Sequence, residues 1–230
     1  MIHRLAAGLA VAAALWSPAA AHAAPVLNPL KPCYVSVGVD TRTGDANTED
    51  VEVSGSGFTP YARADVTVDG NTAATGVPID AAGYLPKGMV KAPLQDSGER
   101  PFTVTVTEEG DPSQTVSATT MVTDLTVTAS PRRARPSRRI TFRGRGFTRL
   151  DTPIWAHYLR GRKVRRSVKF AALPAGPCGT FSVKRRQFPF RPSTGRWLLQ
   201  IDQQRAYAAS PATTFVKLEI FVRRVLKLRA

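Results

Sequence analysis

Gly55-Ser56-Gly57-Phe58-Thr59 returns as Gly144-Arg145-Gly146-Phe147-Thr148, 89 positions later. Three further landmarks follow in the same order. Gly83 returns as Gly179 at an offset of 96, and Phe102 of PFTVTV as Trp197 of RWLLQI at 95. Ala118-Thr119-Thr120-Met121-Val122 returns as Ala212-Thr213-Thr214-Phe215-Val216 at 94. A near-constant offset over successive landmarks reads as two copies of one unit of about 90–100 residues. Gly-x-Gly-Phe-Thr also has a mechanical reading. A strand ends, the glycines permit a tight or bulged exit, and the aromatic ring folds back as a plug in the core.

Outward from this motif the apolar residues alternate. Val35, Val37 and Val39 do so in the first copy, as do Val51 and Val53, Val66 and Val68, and Phe102, Val104 and Val106. In the second copy Ile140 and Phe142 alternate, then Trp197, Leu199 and Ile201, then Val216, Leu218, Ile220 and Val222. Period two with β-branched and aromatic enrichment is the pattern of half-buried strands. Most of the 18 Pro and 17 Gly fall between these runs, at turn positions. Beyond the N-terminus no stretch sustains a helical period, so the chain is expected to be all-β, one sandwich per copy.

VEVSGSGFTPYARADVTV (51–68) and ITFRGRGFTRLDTPIWAHY (140–158) resemble bacterial immunoglobulin-like modules of the IPT/TIG and E-set kind. Such modules often open with a Pro-containing turn, a strand, then G-x-G-F. Pro131 and Pro136 ahead of Ile140 match that opening, whereas the first copy has TRTGDANTED (41–50) in its place. The resemblance implies two consecutive immunoglobulin-like β-sandwich domains, 24–125 and 126–230, in a surface spacer, an enzyme accessory module or a ligand binder. Fold alone does not choose among these.

His3 and Arg4 precede an apolar run from Leu5 to Trp16, broken by Ser17-Pro18 and followed by AAAHAAP. This is the pattern of a secretory signal peptide cleaved after Ala23, with Ala21 and Ala23 in the small-residue positions. The apolar run is shorter than the roughly 17–25 residues that cross a bilayer. The mature protein is expected to be secreted or held at the cell envelope, with no transmembrane helix after cleavage.

Charge divides the copies. Residues 24–125 sum to −8 and residues 126–230 to +22, and 20 of the 25 basic residues in the second stretch are Arg. Ser54 and Ser56 beside the first glycine pair become Arg143 and Arg145 beside the second. With Ile140 and Phe142 inward, Arg139 and Arg143 point outward. With Val164, Val168 and Phe170 inward, so do Arg165 and Lys169. With Phe181 and Val183 inward, so does Lys184, followed by Arg185 and Arg186. These eight residues, Arg145 included, are the expected polyanion-binding face, because guanidinium forks suit phosphate and carboxylate polymers. An acidic protein is a second class of partner, and the −8 copy could itself occupy part of the face.

Catalytic, metal and cofactor patterns are sparse, and none is expected. The mature chain keeps one histidine, His157 in PIWAHYL, read as packed or surface-lying. Asp151 and Ser167 are near it in sequence without a nucleophile-elbow context. Residues 40–50 collect Asp40, Asp45, Asn47, Glu49 and Asp50, but not at EF-hand spacing, and Arg42 opposes a cation. Glu108, Glu109 and Asp111 read as a solvated hairpin loop. Cys33 and Cys178 form an even pair in an exported chain, which favours a bridge. Against it, Cys33 opens the first copy. In a head-to-tail pair that end lies roughly 30–40 Å from the junction, so pairing would need the copies to fold back on each other.

Two function classes remain. One is a non-catalytic exported binding or spacer module. The other is a small-molecule carrier of the bacterial chromoprotein type, with Trp155, Tyr158, Phe188, Phe190 and Trp197 lining a cleft. The structural alternative for those aromatics is core packing.

Overall fold

The computed structural model describes residues 24–39, 46–211 and 213–223. The signal-peptide assignment and residues 40–45 of the acidic loop lie outside the described residues.

Among the described residues the first copy supplies nine strands: β1 (Val26–Leu27), β2 (Cys33–Val39), β3 (Ala46–Thr48), β4 (Asp50–Ser56), β5 (Arg63–Val68), β6 (Asn71–Pro78), β7 (Leu85–Lys91), β8 (Glu99–Glu108) and β9 (Asp111–Asp124). The second supplies seven: β10 (Thr126–Ser130), β11 (Arg139–Arg145), β12 (Ile154–Arg160), β13 (Lys163–Ala171), β14 (Phe181–Arg186), β15 (Gly195–Asp202) and β16 (Val216–Val222). The described residues contain no helix. The chain is all-β.

Four sheets result, in the orders β1-β4-β7, β3-β2-β9-β8-β5-β6, β10-β11-β14 and β13-β12-β15-β16. Among the described residues no sheet mixes strands from before and after Leu125. Each pair of sheets encloses its own core. One core centres on Val51, Phe58, Val66, Phe102, Val104 and Val106, the other on Ile140, Phe142, Phe147, Tyr158, Leu199 and Ile201. A three-stranded sheet facing a larger, mainly antiparallel one with Greek-key connections is the immunoglobulin-like sandwich.

The glycine motif does what its composition implies. Phe58 and Phe147 are both buried core residues. Gly57 and Gly146 take φ values of 83° and 88°, in the left-handed region open to glycine. The backbone N–H of Phe58 donates to Gly83 O at 3.2 Å, and that of Phe147 donates to Gly179 O at 3.2 Å. Gly83 and Gly179 each lie against the carbonyl of that phenylalanine, where a Cβ would overlap the oxygen. The second landmark of the repeat is therefore the seat of the first.

The fourth landmark is not structurally equivalent. Phe102 on β8 lies opposite Thr120, and Trp197 on β15 lies opposite Ile220. Those positions differ by 100, against the offset of 94 read from ATTMV and ATTFV. The cause is loop length. The hairpin between β8 and β9 turns on Glu109-Gly110, whereas residues 203–215 separate β15 from β16. The acidic hairpin needs a second correction, since Glu108 is buried and accepts from the Thr59 N–H at 2.6 Å.

Cys33 and Cys178 are joined by a disulfide, with Cα atoms 5.0 Å apart. The folded-back arrangement is not what brings them together. After β1 pairs with β4, the chain changes sheet, and β2 runs parallel to β9 with Cys33 opposite Met121 and Ser36 opposite Asp124. Cys33 thus stands three residues, about 10 Å, from the end of the copy's last strand. Cys178 meets it there because its carbonyl accepts from Gly146 N–H, and Gly146 packs on Leu125. The first strand of a sandwich need not lie at its far end, because it can switch sheets.

Candidate polyanion-binding face

The expected basic residues separate into three groups. Arg139, Arg143, Lys184 and Arg186 share the outer face of the β10-β11-β14 sheet. Thr128, Arg143 and Ser182 form one cross-strand row, and Ser130, Thr141 and Lys184 the next. Arg139 stands directly opposite Arg186, and both are exposed. Inward-facing Ile140 and Phe142 between them fix this orientation by period two. Like charges placed opposite each other are destabilising. The face nevertheless gathers them, and among the described residues no acid pairs with them. Only Asp151, Asp202 and Glu219 are acidic in residues 126–230. Asp202 is fully buried, Glu219 pairs with Arg196 on another sheet, and Asp151 accepts from Thr152 in its own loop. Where this face meets the edge of β13, a notch of about 610 Å³ is lined by Arg139, Arg185, Arg186 and Ser137.

Arg165 and Lys169 are exposed but lie on β13, the edge strand of the opposite sheet, and so extend the basic surface around the rim. Val164, expected inward, is 38% exposed, because a register shift between Tyr158 and Leu159 breaks the alternation.

Two of the eight are corrected. Arg145 pairs with Asp124 of the first copy, through Nε to Oδ1 and through Nη2 to Oδ2 at 3.2 Å. This hydrogen bond holds the guanidinium proton more tightly than usual. Arg145 is thus a junction residue, fulfilling in one contact the internal use of the basic face. Arg185 points inward. Its Nη1 donates to the carbonyls of Lys169 and Phe170 at 2.5 Å each, and its guanidinium lies over the Phe170 ring at 5.4 Å. It ties β14 to β13 across the open rim of the sandwich.

His157 has a fuller network than its sequence neighbours imply. Its Nε2 lies 3.1 Å from the Gln204 carbonyl, which can only accept, so Nε2 carries the proton. Nδ1 shares a hydrogen bond with Ser167 Oγ at 2.7 Å. The acid beside Nε2 is Asp202 at 3.3 Å, not Asp151. Asp202 accepts from Gln200 Nε2 and from Gln204 N–H, each at 2.8 Å, and Gln200 Nε2 also donates to Ala208 O at 2.9 Å. His157, Gln200 and Asp202 are all fully buried, and the Tyr207 ring covers the imidazole edge-on at 5.7 Å. The network staples residues 203–208 over the outer face of β12 and β15. It was missed because Asp202 lies 45 residues from His157 in sequence.

The aromatic cleft does not form. Tyr158, Phe188, Phe190 and Trp197 pack on one another at centroid distances of 5.4–5.7 Å. Burial pushes the Tyr158 phenol pKa up despite the opposing charge of Arg185, and its hydroxyl donates to Gln187 O at 3.1 Å. Trp155 lies apart, with Arg205 over its ring at 6.0 Å. In the acidic stretch, Glu49 pairs with Lys31 and Asp50 with Lys91. Among the described residues no three His, Cys, Asp or Glu side chains gather as metal ligands. Among them, too, no helix is long and apolar enough to cross a membrane.

No protein-family model and no curated protein sequence matches this chain. Among solved structures, it is similar to the extracellular domain of protocadherin GammaB4, at 9% sequence identity and a TM-score of 0.27. That match covers 86% of this chain and 32% of the other. The chain thus spans about a third of the length of the protein it matches, and the functional reading rests on its own residues.

Proposed function

We propose that the protein is an exported, non-catalytic binding or spacer module of the IPT/TIG and E-set kind. It acts outside the cell or at the cell envelope, and its basic domain, 126–230, contacts anionic polymers. The acidic domain, 24–125, does not make that contact. The observation that carries this reading is the outer face of the β10-β11-β14 sheet, where Arg139, Arg143, Lys184 and Arg186 stand with no acid among them. A flat strand surface of this kind offers no element to enter a groove and read base edges, so it favours charge density over sequence. The Cys33–Cys178 bridge supports an oxidising location.

The test is retention of the full secreted chain on immobilised polyphosphate. The wild type should be retained at low salt, and the variant with Gln at 139, 143, 184 and 186 should elute much earlier with an unchanged folding transition. Equal retention of the two would refute the face as the site. Reaction with a fluorophosphonate probe tests the non-catalytic part. Ser167 should stay unlabelled although its Oγ lies 2.7 Å from His157 Nδ1, because it stands on the exposed edge strand β13 and does not line the notch. Stoichiometric labelling at Ser167 would overturn that part.

A further inference from the structure

Among the described residues the first copy carries two strands, β2 and β3, that the second lacks. In the first, β2 lies against the last strand, β9, in parallel, with Cys33–Ser36 opposite Met121–Asp124. In the second, β16 takes the place of β9, as the pairing of Trp197 with Ile220 and of Phe102 with Thr120 shows. Val122 and Val222 are both buried at the matching inward position. Yet β16 ends its sheet, and no described residue pairs with its outer edge. The reason lies upstream. β1 leaves β4 after two residues and the chain crosses over, whereas β10 stays on β11 for five, through Ser130. Residues 131–138 then turn toward β14 instead, where Pro136 O and Arg138 O accept from Phe188 and Gln187 N–H.

What remains is a groove of about 1060 Å³ between β10 and β16. Its floor includes Val127, Phe142, Leu218 and Ile220, and its rim carries Arg132, Arg133, Arg135, Arg138 and Arg223, all exposed. The one acid on it, Glu219, is paired with Arg196. A free strand edge presents unpaired N–H and C=O groups that an extended chain can satisfy.

We infer that this groove takes an extended peptide segment of a partner protein, alternating apolar and acidic residues, which adds to β16 in parallel as β2 adds to β9. Apolar side chains would reach the Phe142, Leu218 and Ile220 floor, and carboxylates would meet the arginine rim. This site is distinct from the polyanion face on the outer side of β11 and β14.

The test uses the full oxidised chain and the synthetic peptide Glu-Val-Glu-Val-Glu-Val-Glu with blocked ends. Controls are its block isomer Glu-Glu-Glu-Glu-Val-Val-Val and an alternating peptide N-methylated at every second residue. The alternating peptide should bind at least about tenfold more tightly than the block isomer, because only alternation buries valines while the carboxylates face the rim. N-methylation should abolish the difference, and hydrogen exchange should slow at amides of Val216–Val222. R132Q/R133Q/R135Q should reduce the preference for the alternating peptide, whereas Gln at 139, 143, 184 and 186 should leave the ratio between the two isomers unchanged, since a charge-only face holds both alike. Equal binding of the two isomers, or no protection on β16, would overturn the inference. So would a free chain that is already a dimer with β16 protected, since a second copy would then be the occupant.

Discussion

Glu108 and Gln203 hold the same place in the two copies. Each is buried where the strand that carries the core aromatic, Phe102 or Trp197, comes to its end, and each accepts from the loop after Gly-x-Gly-Phe. Glu108 Oε1 takes the Thr59 N–H at 2.6 Å, and Gln203 Oε1 takes the Arg149 N–H at 3.2 Å. The offset of 95 matches that of Phe102 and Trp197. One copy uses a carboxylate and the other an amide; both accept, and Gln203 Nε2 also donates to the carbonyls of Arg149 and Thr152. Glu108→Gln should therefore leave the folding transition nearly unmoved. Glu108→Ala should cost about 1 kcal/mol, because the half-buried Thr59 N–H loses its acceptor. Denaturant unfolding compares the two.

The glycine seats give a paired prediction. Gly83→Ala and Gly179→Ala should each destabilise by about 3 kcal/mol, because both need positive φ and both would drive a Cβ into a phenylalanine carbonyl. Gly161→Ala also meets a positive φ, on the exposed turn between β12 and β13, but nothing lies within 4 Å of its Cβ. It should cost only about 1 kcal/mol. Thermal unfolding of the three variants checks the order.

At the junction the copies are held by Cys33–Cys178 and by Arg145 on Asp124. A protease site inserted between Leu125 and Thr126 should yield, after cleavage, a species that migrates as one band until reductant is added. Two free thiols in the unfolded, non-reduced chain would contradict the bridge. Asp124→Asn should loosen the junction while leaving the cores intact, and it should return Arg145 to the cationic surface. Binding to polyphosphate should then rise rather than fall.

Local features were legible in the sequence, and long-range pairings were not. Period two placed Ile140, Phe142, Trp197 and Leu199 in the core, where they are. Applied strictly it also turns Arg185 inward after Phe181 and Val183, and the run of basic residues hid that. Nothing in CYVSVGV states whether its strand joins β4 or β9, since that depends on when the chain changes sheet. The distance to Cys178 was misjudged for that reason. The partner of Arg145 and the acid beside His157 lie 21 and 45 residues away, beyond any local pattern. The long 203–215 segment likewise shifted ATTFV away from its apparent counterpart.

The central claim is that cations on the β11 and β14 face bind anionic polymers through charge alone. Its most direct measurement is the affinity of the full chain for duplex DNA of unrelated sequences across a salt series. The account predicts equal affinities for all sequences and a log-linear fall with salt of about 0.9 per phosphate neutralised. Replacing Arg139, Arg143, Lys184 and Arg186 with Gln should then reduce the slope by about 0.9 for each contact removed. Weak binding at about 20 mM salt, where charges act over roughly 20 Å, or a slope unchanged by the four substitutions, would contradict it.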